Sequence, residues 1–327
     1  MRILILGGTG LTGPSVVRGL DRLGHQVTVF HRGQHSAELP SSVRFIPGDV
    51  ARPPKALRDL APDVVIHMWA MNEADTGAFL DCMQGAAGHV VAISSGDVYR
   101  AYGRLKHLEP ESGAGIQPAQ SPLPTSLTED APLRESRYPY RGMPNAPLER
   151  VDEYDKILVE ETLRAQSEMP VTILRFPAVY GRNDSHRFKP WLDRMPAGER
   201  EMRIDEGFAA WRWTHGYAED VAEAVVSAAT DHRAAGRTYN VGERATPTWA
   251  ERLSEWGRIA GWKGRVVVVP AAEIPEHLRT PPLDYRHHLA MDTSRIRQEL
   301  GYTEPLSREE GIARTIAWER SSNISER

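Results

Sequence analysis

The first thirteen residues constrain the fold of this chain more than any other stretch. Arg2–Leu6 is an apolar run of strand length, followed by the glycine-rich loop Gly7–Gly13 and a helical pattern over 14–23. Strand, glycine turn and helix in this order are the context in which a glycine motif indicates dinucleotide binding. Glycines let the backbone approach a pyrophosphate, and a helix N-terminus offers unpaired N–H groups and a positive dipole end. We therefore expect a dinucleotide site here, the alternative being a tight turn without a ligand.

Short β-rich runs alternate with helical patterns through the first hundred residues. Runs at 26–30, 43–46, 63–68 and 89–93 predict strands, and further strands are expected over 170–176, 237–241 and 266–269. This alternation predicts an α/β fold with a parallel, doubly wound sheet of the Rossmann type. The longest helical pattern covers 149–167, with an apolar face that includes Tyr154 and Ile157.

The end of the second strand normally decides the type of dinucleotide. An acidic residue there accepts hydrogen bonds from a ribose 2′-hydroxyl, whereas an arginine accommodates a 2′-phosphate. This chain has Arg32 and no acid, which favours NADP over NAD, unless Arg32 is an ordinary exposed arginine. Asp49 follows the third strand, where a carboxylate accepts a bond from the adenine amino group, and it is also a typical turn residue.

Composition excludes several classes of protein. The chain has 327 residues, 40% of them hydrophobic, and a net charge of -4, which argues against nucleic-acid and membrane partners. Its single cysteine, Cys82, fits a reducing compartment, and no apolar stretch approaches the roughly 20 residues that span a bilayer. We therefore expect a cytoplasmic protein. No group of residues has metal-ligand spacing, so no metal is expected.

The segment 100–150 breaks the pattern. It has no sustained period and carries many prolines directly after the fifth strand. A loop of this length in a compact domain is usually functional or disordered. We expect either a lid or wall over the substrate or a mobile surface insertion.

Several motifs together give the chain a family resemblance. They occur in a fixed order along the sequence: Gly7-x-x-Gly10-x-x-Gly13, the Asp49 turn, Ser94-Ser95-x-x-Val98-Tyr99, Lys156-x-x-x-Glu160, Leu174-Arg175-x-x-x-Val179-Tyr180-Gly181, Glu219-Asp220-Val221-Ala222 and Tyr239-Asn240-Val241-Gly242. The chain thereby resembles the extended short-chain dehydrogenase/reductases, often called NAD-dependent epimerase/dehydratases.

The resemblance implies that different parts of the chain bind the cofactor and the substrate. Residues 1–176, with 217–242 returning to them, would form the dinucleotide-binding domain, and 177–216 with 243–327 a smaller C-terminal α/β domain for the substrate, most often a nucleotide sugar. A homodimer is expected through helix faces that include Phe79, Met83 and Leu158. The expected cofactor-binding residues are Gly7, Thr9, Gly10, Leu11, Thr12, Gly13, Arg32, Asp49, Val50, Met68, Trp69, Lys156 and Pro177.

The chain departs from the family at its catalytic pair. The family uses Tyr-x-x-x-Lys on one helix, in which the lysine holds the ribose and the tyrosine exchanges a proton with the substrate. Lys156 matches the lysine and Glu160 would support it, but Asp152 stands where the tyrosine belongs. Tyr154 lies two residues before Lys156, roughly 200° around a continuous helix, and is not expected to replace it.

Four interpretations of the missing proton donor stay open. Asp152 is either a structural partner of Lys156 or itself the acid/base, Tyr99 or Tyr102 supplies the phenol, or Asp97 acts where related dehydratases carry a glutamate.

The resemblance also assigns residues to the substrate. Ser95 occupies the catalytic serine position and would bond a substrate hydroxyl or carbonyl, and Tyr99 lies in a region that faces the substrate. Arg212 is the candidate for a diphosphate, and His186 a candidate substrate contact.

Three functions follow from these features. The favoured one is an NADP- or NAD-dependent epimerase, dehydratase or reductase acting on a nucleotide sugar, with Lys156 and Ser95 retained and the acid/base relocated. The second is an atypical reductase or isomerase on a smaller substrate. The third is a non-catalytic dinucleotide-binding protein, regulatory or RNA-associated.

Overall fold

A computed structural model describes residues 1–34, 38–109, 126–143, 150–184, 187–196 and 198–325. The strands β1 to β11 are Arg2–Leu6, Gln26–His31, Arg44–Pro47, Val64–His67, His89–Ser95, Val171–Phe176, Ala178–Tyr180, Glu201–Asp205, His215–Tyr217, Thr238–Asn240 and Arg265–Val269. The helices α1 to α10 are Gly13–Arg22, Glu73–Met83, Arg100–Leu105, Lys156–Ala165, Lys189–Leu192, Glu206–Ala210, Ala218–Thr230, Trp249–Ile259, Ser294–Leu300 and Arg308–Ser325.

A parallel sheet organises the molecule. Its strand order is β10-β6-β5-β4-β1-β2-β3, with β4 at the centre and β1 beside it, where Ile3 pairs with both Val27 and Val64. Side chains alternate between the two faces, so Ile3 and Ile5 enter one hydrophobic core while Leu4 and Leu6 enter the other. The inner strands β1, β4 and β5 are mostly apolar and buried because helices cover both faces of the sheet there. The predicted α/β fold and doubly wound sheet are confirmed.

The C-terminal part of the chain builds a second, aromatic core. β7 pairs with β9 and β8 with β11, both in parallel, and Phe188 stacks on Trp256 with ring centroids 3.8 Å apart. Ile296 and Tyr302, by contrast, pack into the core beside the main sheet. The division at residues 177 and 243 stays a prediction. None of the described helices combines the length and the low polarity that crossing a bilayer requires.

The face expected for a dimer is largely interior. Phe79 and Met83 on α2 are fully buried within a single chain, so neither contributes to an exposed surface. Only Leu158 of the three residues is partly exposed. The prediction of these three residues as one dimer face is therefore wrong for Phe79 and Met83, because α2 packs against α4 in the same chain.

Residues 126–143, named the arm here, pack on the carboxyl end of β5. The Arg100 N–H donates to the Pro132 carbonyl and the Arg134 N–H to the Val98 carbonyl, 2.8 Å each. The buried Arg134 guanidinium also donates to the Asp97 carbonyl, 2.6 Å away. Hydrogen bonds therefore hold this part of the proline-rich insertion against the end of the sheet.

Candidate functional site

A cleft of about 430 Å³ opens at the carboxyl ends of the central strands. The residues that line it are Gly7, Gly8, Thr9, Gly10, Leu11, Thr12, Gly13, His31, Arg32, Gln34, Asp49, Val50, Met68, Trp69, Ile93, Phe176 and Val179. Every predicted cofactor residue except Lys156 and Pro177 is among them. Ligands of open α/β sheets bind at this edge, where the strand order reverses around β1 and β4.

The glycine loop has the shape that a pyrophosphate requires. A Cβ on Gly13 would lie 2.3 Å from the Gly8 carbonyl carbon, so α1 packs on the loop only with glycine there. At Gly10 a Cβ would meet no protein atom within 4 Å, so the space beside that backbone is open. The N-terminus of α1 has neither a side-chain cap nor an acidic residue in its first turn, which leaves its positive end available to an anion. These residues fit a dinucleotide.

Four lining residues that the sequence did not single out lie at or near strand ends. His31 ends β2, Ile93 lies near the end of β5, Phe176 ends β6, and Val179 follows it in β7. Applying the strand-end rule to every strand of the sheet, rather than to the fourth alone, would have found the first three, whereas Val179 lies in β7 outside that sheet.

Helix α4 begins at Lys156, seven residues later than the sequence predicted. The Asp155 side chain caps it by accepting a hydrogen bond from the Ile157 N–H at 2.9 Å, and Tyr154 and Asp155 are extended. In an extended chain, residues two apart point to the same side. Tyr154 and Lys156 therefore project together, as residues four apart would on a helix. The argument against Tyr154 assumed a continuous helix through Tyr154 and Lys156, and that assumption is wrong because α4 begins at Lys156.

Asp152 lies outside this arrangement. It is exposed in a short 3-10 turn, and its carboxylate accepts a hydrogen bond from the Gly142 N–H at 2.7 Å. The predicted pairing of Asp152 with Lys156 rested on a shared helix face, and it is wrong because Asp152 precedes the helix.

The Tyr154 hydroxyl lies at the centre of a polar cluster. It donates to Asp97 Oδ2 at 2.8 Å, and the Ser95 hydroxyl lies near enough to lower its pKa. Ser95 Oγ in turn accepts from the Asp97 N–H at 3.2 Å. Lys156 Nζ is 5.7 Å from the centre of the Tyr154 ring. A phenol, a serine hydroxyl and a lysine thus come together at the end of β5.

Lys156 links this cluster to the cleft. Its Nζ donates to the Ile93 carbonyl at 3.0 Å and to the Ala70 carbonyl, and Ile93 lines the cleft. Burial lowers the pKa of Lys156 to about 8. Glu160 is not its hydrogen-bonding partner, since that carboxylate pairs with Arg175 at 2.8 Å.

Burial also shapes the acid–base chemistry of the cluster. It raises the pKa of Asp97, against the opposing effects of Arg134 and of two phenol hydrogen bonds. Burial, followed by the charge of Asp97, raises the pKa of Tyr154 well above its usual range. Tyr154 is therefore a neutral, protonated phenol at physiological pH.

Tyr99 has a structural position. It is fully buried, its hydroxyl donates to Asn240 Oδ1 at 2.6 Å, and it accepts from Arg175 Nη1 at 3.0 Å. The expectation that Tyr99 contacts the substrate or supplies the phenol is therefore wrong, because its hydroxyl is engaged inside the core. Tyr102 is partly exposed and lies beside Tyr140 of the arm, with ring centroids 6.0 Å apart.

Arg212 lies in a different cleft. This second space, about 460 Å³, is also lined by Arg244 and Arg297, and Arg212 Nη1 donates to the Thr246 carbonyl at 2.7 Å. Met291 lines this second cleft and packs against Gly96, next to the polar cluster around Tyr154. His186 lies outside the described residues. In the part of the chain that the structure describes, no group of three or more His, Cys, Asp or Glu is placed to hold a metal ion.

Known proteins resemble the chain in sequence. A 2′-dehydrokanamycin reductase from Streptomyces kanamyceticus is 29% identical over 85% of this chain and 72% of the relative. A dTDP-glucose 4,6-dehydratase from Streptomyces niveus is 25% identical over 98% of this chain and 94% of the relative.

Solved structures resemble it in fold. A UDP-glucose 4-epimerase from Thermotoga maritima, solved with UDP-glucose, has a TM-score of 0.68 at 19% identity, covering 99% of this chain and 100% of that one. The family model described as "NAD dependent epimerase/dehydratase family" matches residues 3–99 and 142–242, more than half of the chain. The chain therefore belongs to the NAD-dependent epimerase/dehydratase family of enzymes.

Proposed function

We propose that the chain is an NAD(P)-dependent reductase of this family in which Tyr154 donates the proton and Ser95 positions the substrate oxygen. The observation that carries the proposal is the Tyr154 hydroxyl, held between Ser95 and Asp97 with Lys156 beside its ring. The bound dinucleotide would supply the hydride. The substrate is a carbonyl compound of the polyhydroxylated class, a nucleotide sugar or an aminoglycoside-like ketone.

The protonated state of Tyr154 is compatible with reduction, in which the phenol gives up its proton. An alcohol oxidation begins with removal of a proton, which needs a phenol with a lowered pKa. The buried Asp97 carboxyl has the opposite effect on Tyr154. A neutral phenol is the form that protonates an alkoxide as it develops on a reduced carbonyl. The curated relative from Streptomyces kanamyceticus, a reductase, agrees with this direction.

A non-catalytic or RNA-associated role has less support than the sequence allowed. That role was inferred from the missing tyrosine, and the position of Tyr154 beside Asp97 and Lys156 supports a phenol in its place. A net charge of -4 also disfavours phosphate-backbone binding.

The test is turnover of a small panel of probes by the full chain. Reduction of 2′-dehydrokanamycin and of a dTDP-4-keto sugar is followed with NADH and NADPH, alongside epimerisation of UDP-glucose and dehydration of dTDP-glucose. We expect NAD(P)H oxidation by a ketone, and a loss of at least about 100-fold in kcat for Tyr154→Phe. Tyr138→Phe, on the arm with its ring under Arg141, is the matched control. Wild-type turnover by Tyr154→Phe would refute the assignment.

Arg32 carries the proposed preference for NADP. It lies at the edge of the cleft with Gln34, beyond the glycine loop. We expect Arg32→Ala to weaken NADPH binding about tenfold or more while changing NADH affinity less than twofold. Titration of NADH and NADPH against wild type and Arg32→Ala tests this preference. Equal losses of affinity for the two dinucleotides would contradict it.

A further inference from the structure

We propose that Asp97 and Tyr140 form a proton relay that returns a solvent proton to Tyr154 after each reduction. The inference rests on the proposed role of Tyr154 and assigns a function to the arm, which lies almost entirely outside the matched family segments. Its basis is one carboxylate oxygen shared by two phenols.

The shared oxygen is Asp97 Oδ2. It accepts from the Tyr154 hydroxyl at 2.8 Å and from the Tyr140 hydroxyl at 3.1 Å. The two tyrosine rings meet edge-on, with centroids 5.1 Å apart. Tyr102 lies beside Tyr140 on the outer side, with ring centroids 6.0 Å apart. The hydrogen bonds therefore run continuously from Tyr154 through Asp97 to Tyr140.

Exposure changes along this path. Tyr154 and Asp97 are only 5% and 6% exposed, whereas Tyr140 and Tyr102 are partly exposed. Lys156 does not provide the same connection, because its Nζ is engaged with the Ile93 and Ala70 carbonyls. Asp97 Oδ1 is buried and has no hydrogen-bond partner among the described residues, so Oδ2 makes the hydrogen bonds of this carboxyl.

The proton balance is simple. When a substrate carbonyl is reduced, the Tyr154 O–H bond breaks and its proton passes to the substrate oxygen, while a bound dinucleotide would supply the hydride to the carbon. Asp97 Oδ2 takes the proton of Tyr140 and passes it to the Tyr154 oxygen. Tyr140, which is partly exposed, recovers a proton from solvent. One solvent proton is consumed for each carbonyl reduced, and Asp97 ends in the state in which it began.

The structure also explains why the path stays aligned. Arg134 holds the Asp97 backbone carbonyl at 2.6 Å and lies 3.5 Å from Asp155, the cap of α4. The Tyr138 N–H donates to the other Asp155 oxygen at 2.7 Å. The arm is thereby fixed to the same residue that places Tyr154 and Lys156. Asp97 and Tyr140 are positioning residues in this scheme, since both act through Tyr154.

A substrate-free measurement tests the link first. Infrared spectra of the full chain across pH identify the Asp97 carboxyl band by its loss in Asp97→Asn. Both phenol hydrogen bonds stabilise the carboxylate, so Tyr140→Phe is expected to shift the titration midpoint of this band upward. Arg134, Lys156 and Tyr154, which also face Asp97, stay in place in that variant. Tyr138→Phe should leave the band unchanged. An unmoved midpoint in Tyr140→Phe would overturn the relay.

Turnover provides the second measurement, with a ketone from the panel above. Tyr140→Phe and Asp97→Asn should lower kcat roughly tenfold or more, with KM within about twofold, and added buffer acid should restore part of the loss in Tyr140→Phe. Wild-type kcat in both variants would overturn the relay while leaving an inactive Tyr154→Phe, and so the proposed function, intact. Full activity of Tyr154→Phe would instead refute the proposed function.

Discussion

Gly10 and Gly13 differ in what an added side chain would contact. Alanine variants at the two positions should therefore separate an effect on dinucleotide affinity from an effect on stability. An alanine at Gly13 would overlap the Gly8 backbone, whereas one at Gly10 would enter open space. We expect Gly13→Ala to lower the free energy of unfolding by about 1–3 kcal/mol. Gly10→Ala should leave stability within about 0.5 kcal/mol while weakening dinucleotide binding about tenfold or more. Thermal unfolding and calorimetric titration with NADH and NADPH measure the two effects, and wild-type affinity in Gly10→Ala would show that no ligand approaches this loop.

Lys156 makes dinucleotide binding depend on pH. Its pKa is lowered to about 8 by burial, so the ammonium is lost as pH rises through about 8. If Lys156 donates to the ribose, affinity should fall above that pH, and Lys156→Met should bind more weakly without this pH dependence. Lys263→Met, at an exposed lysine, is the control.

The lowered pKa of Lys156 also makes stability depend on pH. Between about pH 8 and 10.5 the unfolded chain binds more protons than the folded chain, so this group's contribution to stability should rise across that window.

The start of α4 is the element on which the catalytic geometry depends. Asp155 accepts hydrogen bonds from the Ile157 and Tyr138 N–H groups and is fully buried. We expect Asp155→Ala to lower the free energy of unfolding by about 1–2 kcal/mol and to reduce kcat at least tenfold, because Tyr154 and Lys156 lose their relative placement. Urea unfolding and turnover measure both quantities. Asp231→Ala, which removes the cap of a short turn at His232–Ala234, should affect stability alone.

The same element shows what the sequence could and could not predict. Strand patterns and the glycine loop are local signals, so the sheet and most of the cleft followed from them. A run of hydrophobic residues at helical spacing can continue past the end of a helix, so the pattern does not show where the helix begins. The pattern over 149–167 therefore placed Tyr154 on α4, although the helix begins at Lys156. Asp155 directly before Lys156 was the available cap signal. The contact of Tyr140 with Asp97 had no such signal, since it depends on long-range packing of an aperiodic, proline-rich segment.

At the scale of the whole molecule, one buried ion pair joins most of the parts. Glu160 on α4 accepts from Arg175 on β6 and from Ser94 on β5, at 2.8 and 2.6 Å. Arg175 Nη1 also donates to the Glu129 carbonyl in the arm at 2.8 Å. Asn240 on β10 closes the network by donating to the Leu127 and Asp292 carbonyls. Helix, sheet, arm and C-terminal segment are therefore held by one set of hydrogen bonds directly behind the catalytic cluster.

Removing Glu160 should destabilise the whole fold rather than one element. Its side chain is fully buried and Arg175 is 2% exposed, so Glu160→Ala leaves an uncompensated guanidinium in the core, a change that costs about 3–5 kcal/mol. Glu161→Ala is the matched control, because that neighbouring carboxylate is 53% exposed and pairs with Arg137 at the surface, where such pairs contribute about 0–1 kcal/mol.

The pH dependence of the same pair gives an independent check. Burial would raise the pKa of Glu160, but the hydrogen bond and charge of Arg175 outweigh it and hold that pKa below its usual range. The unfolded chain therefore binds the proton first as pH falls, so the stabilising contribution is present above the unfolded pKa and is lost as pH drops through the folded one. Urea unfolding of wild type and Glu160→Gln from neutral to acidic pH should show a difference that narrows toward low pH. A difference that stayed constant would mean that Glu160 acts through packing alone, and the junction behind the site would then be steric rather than ionic.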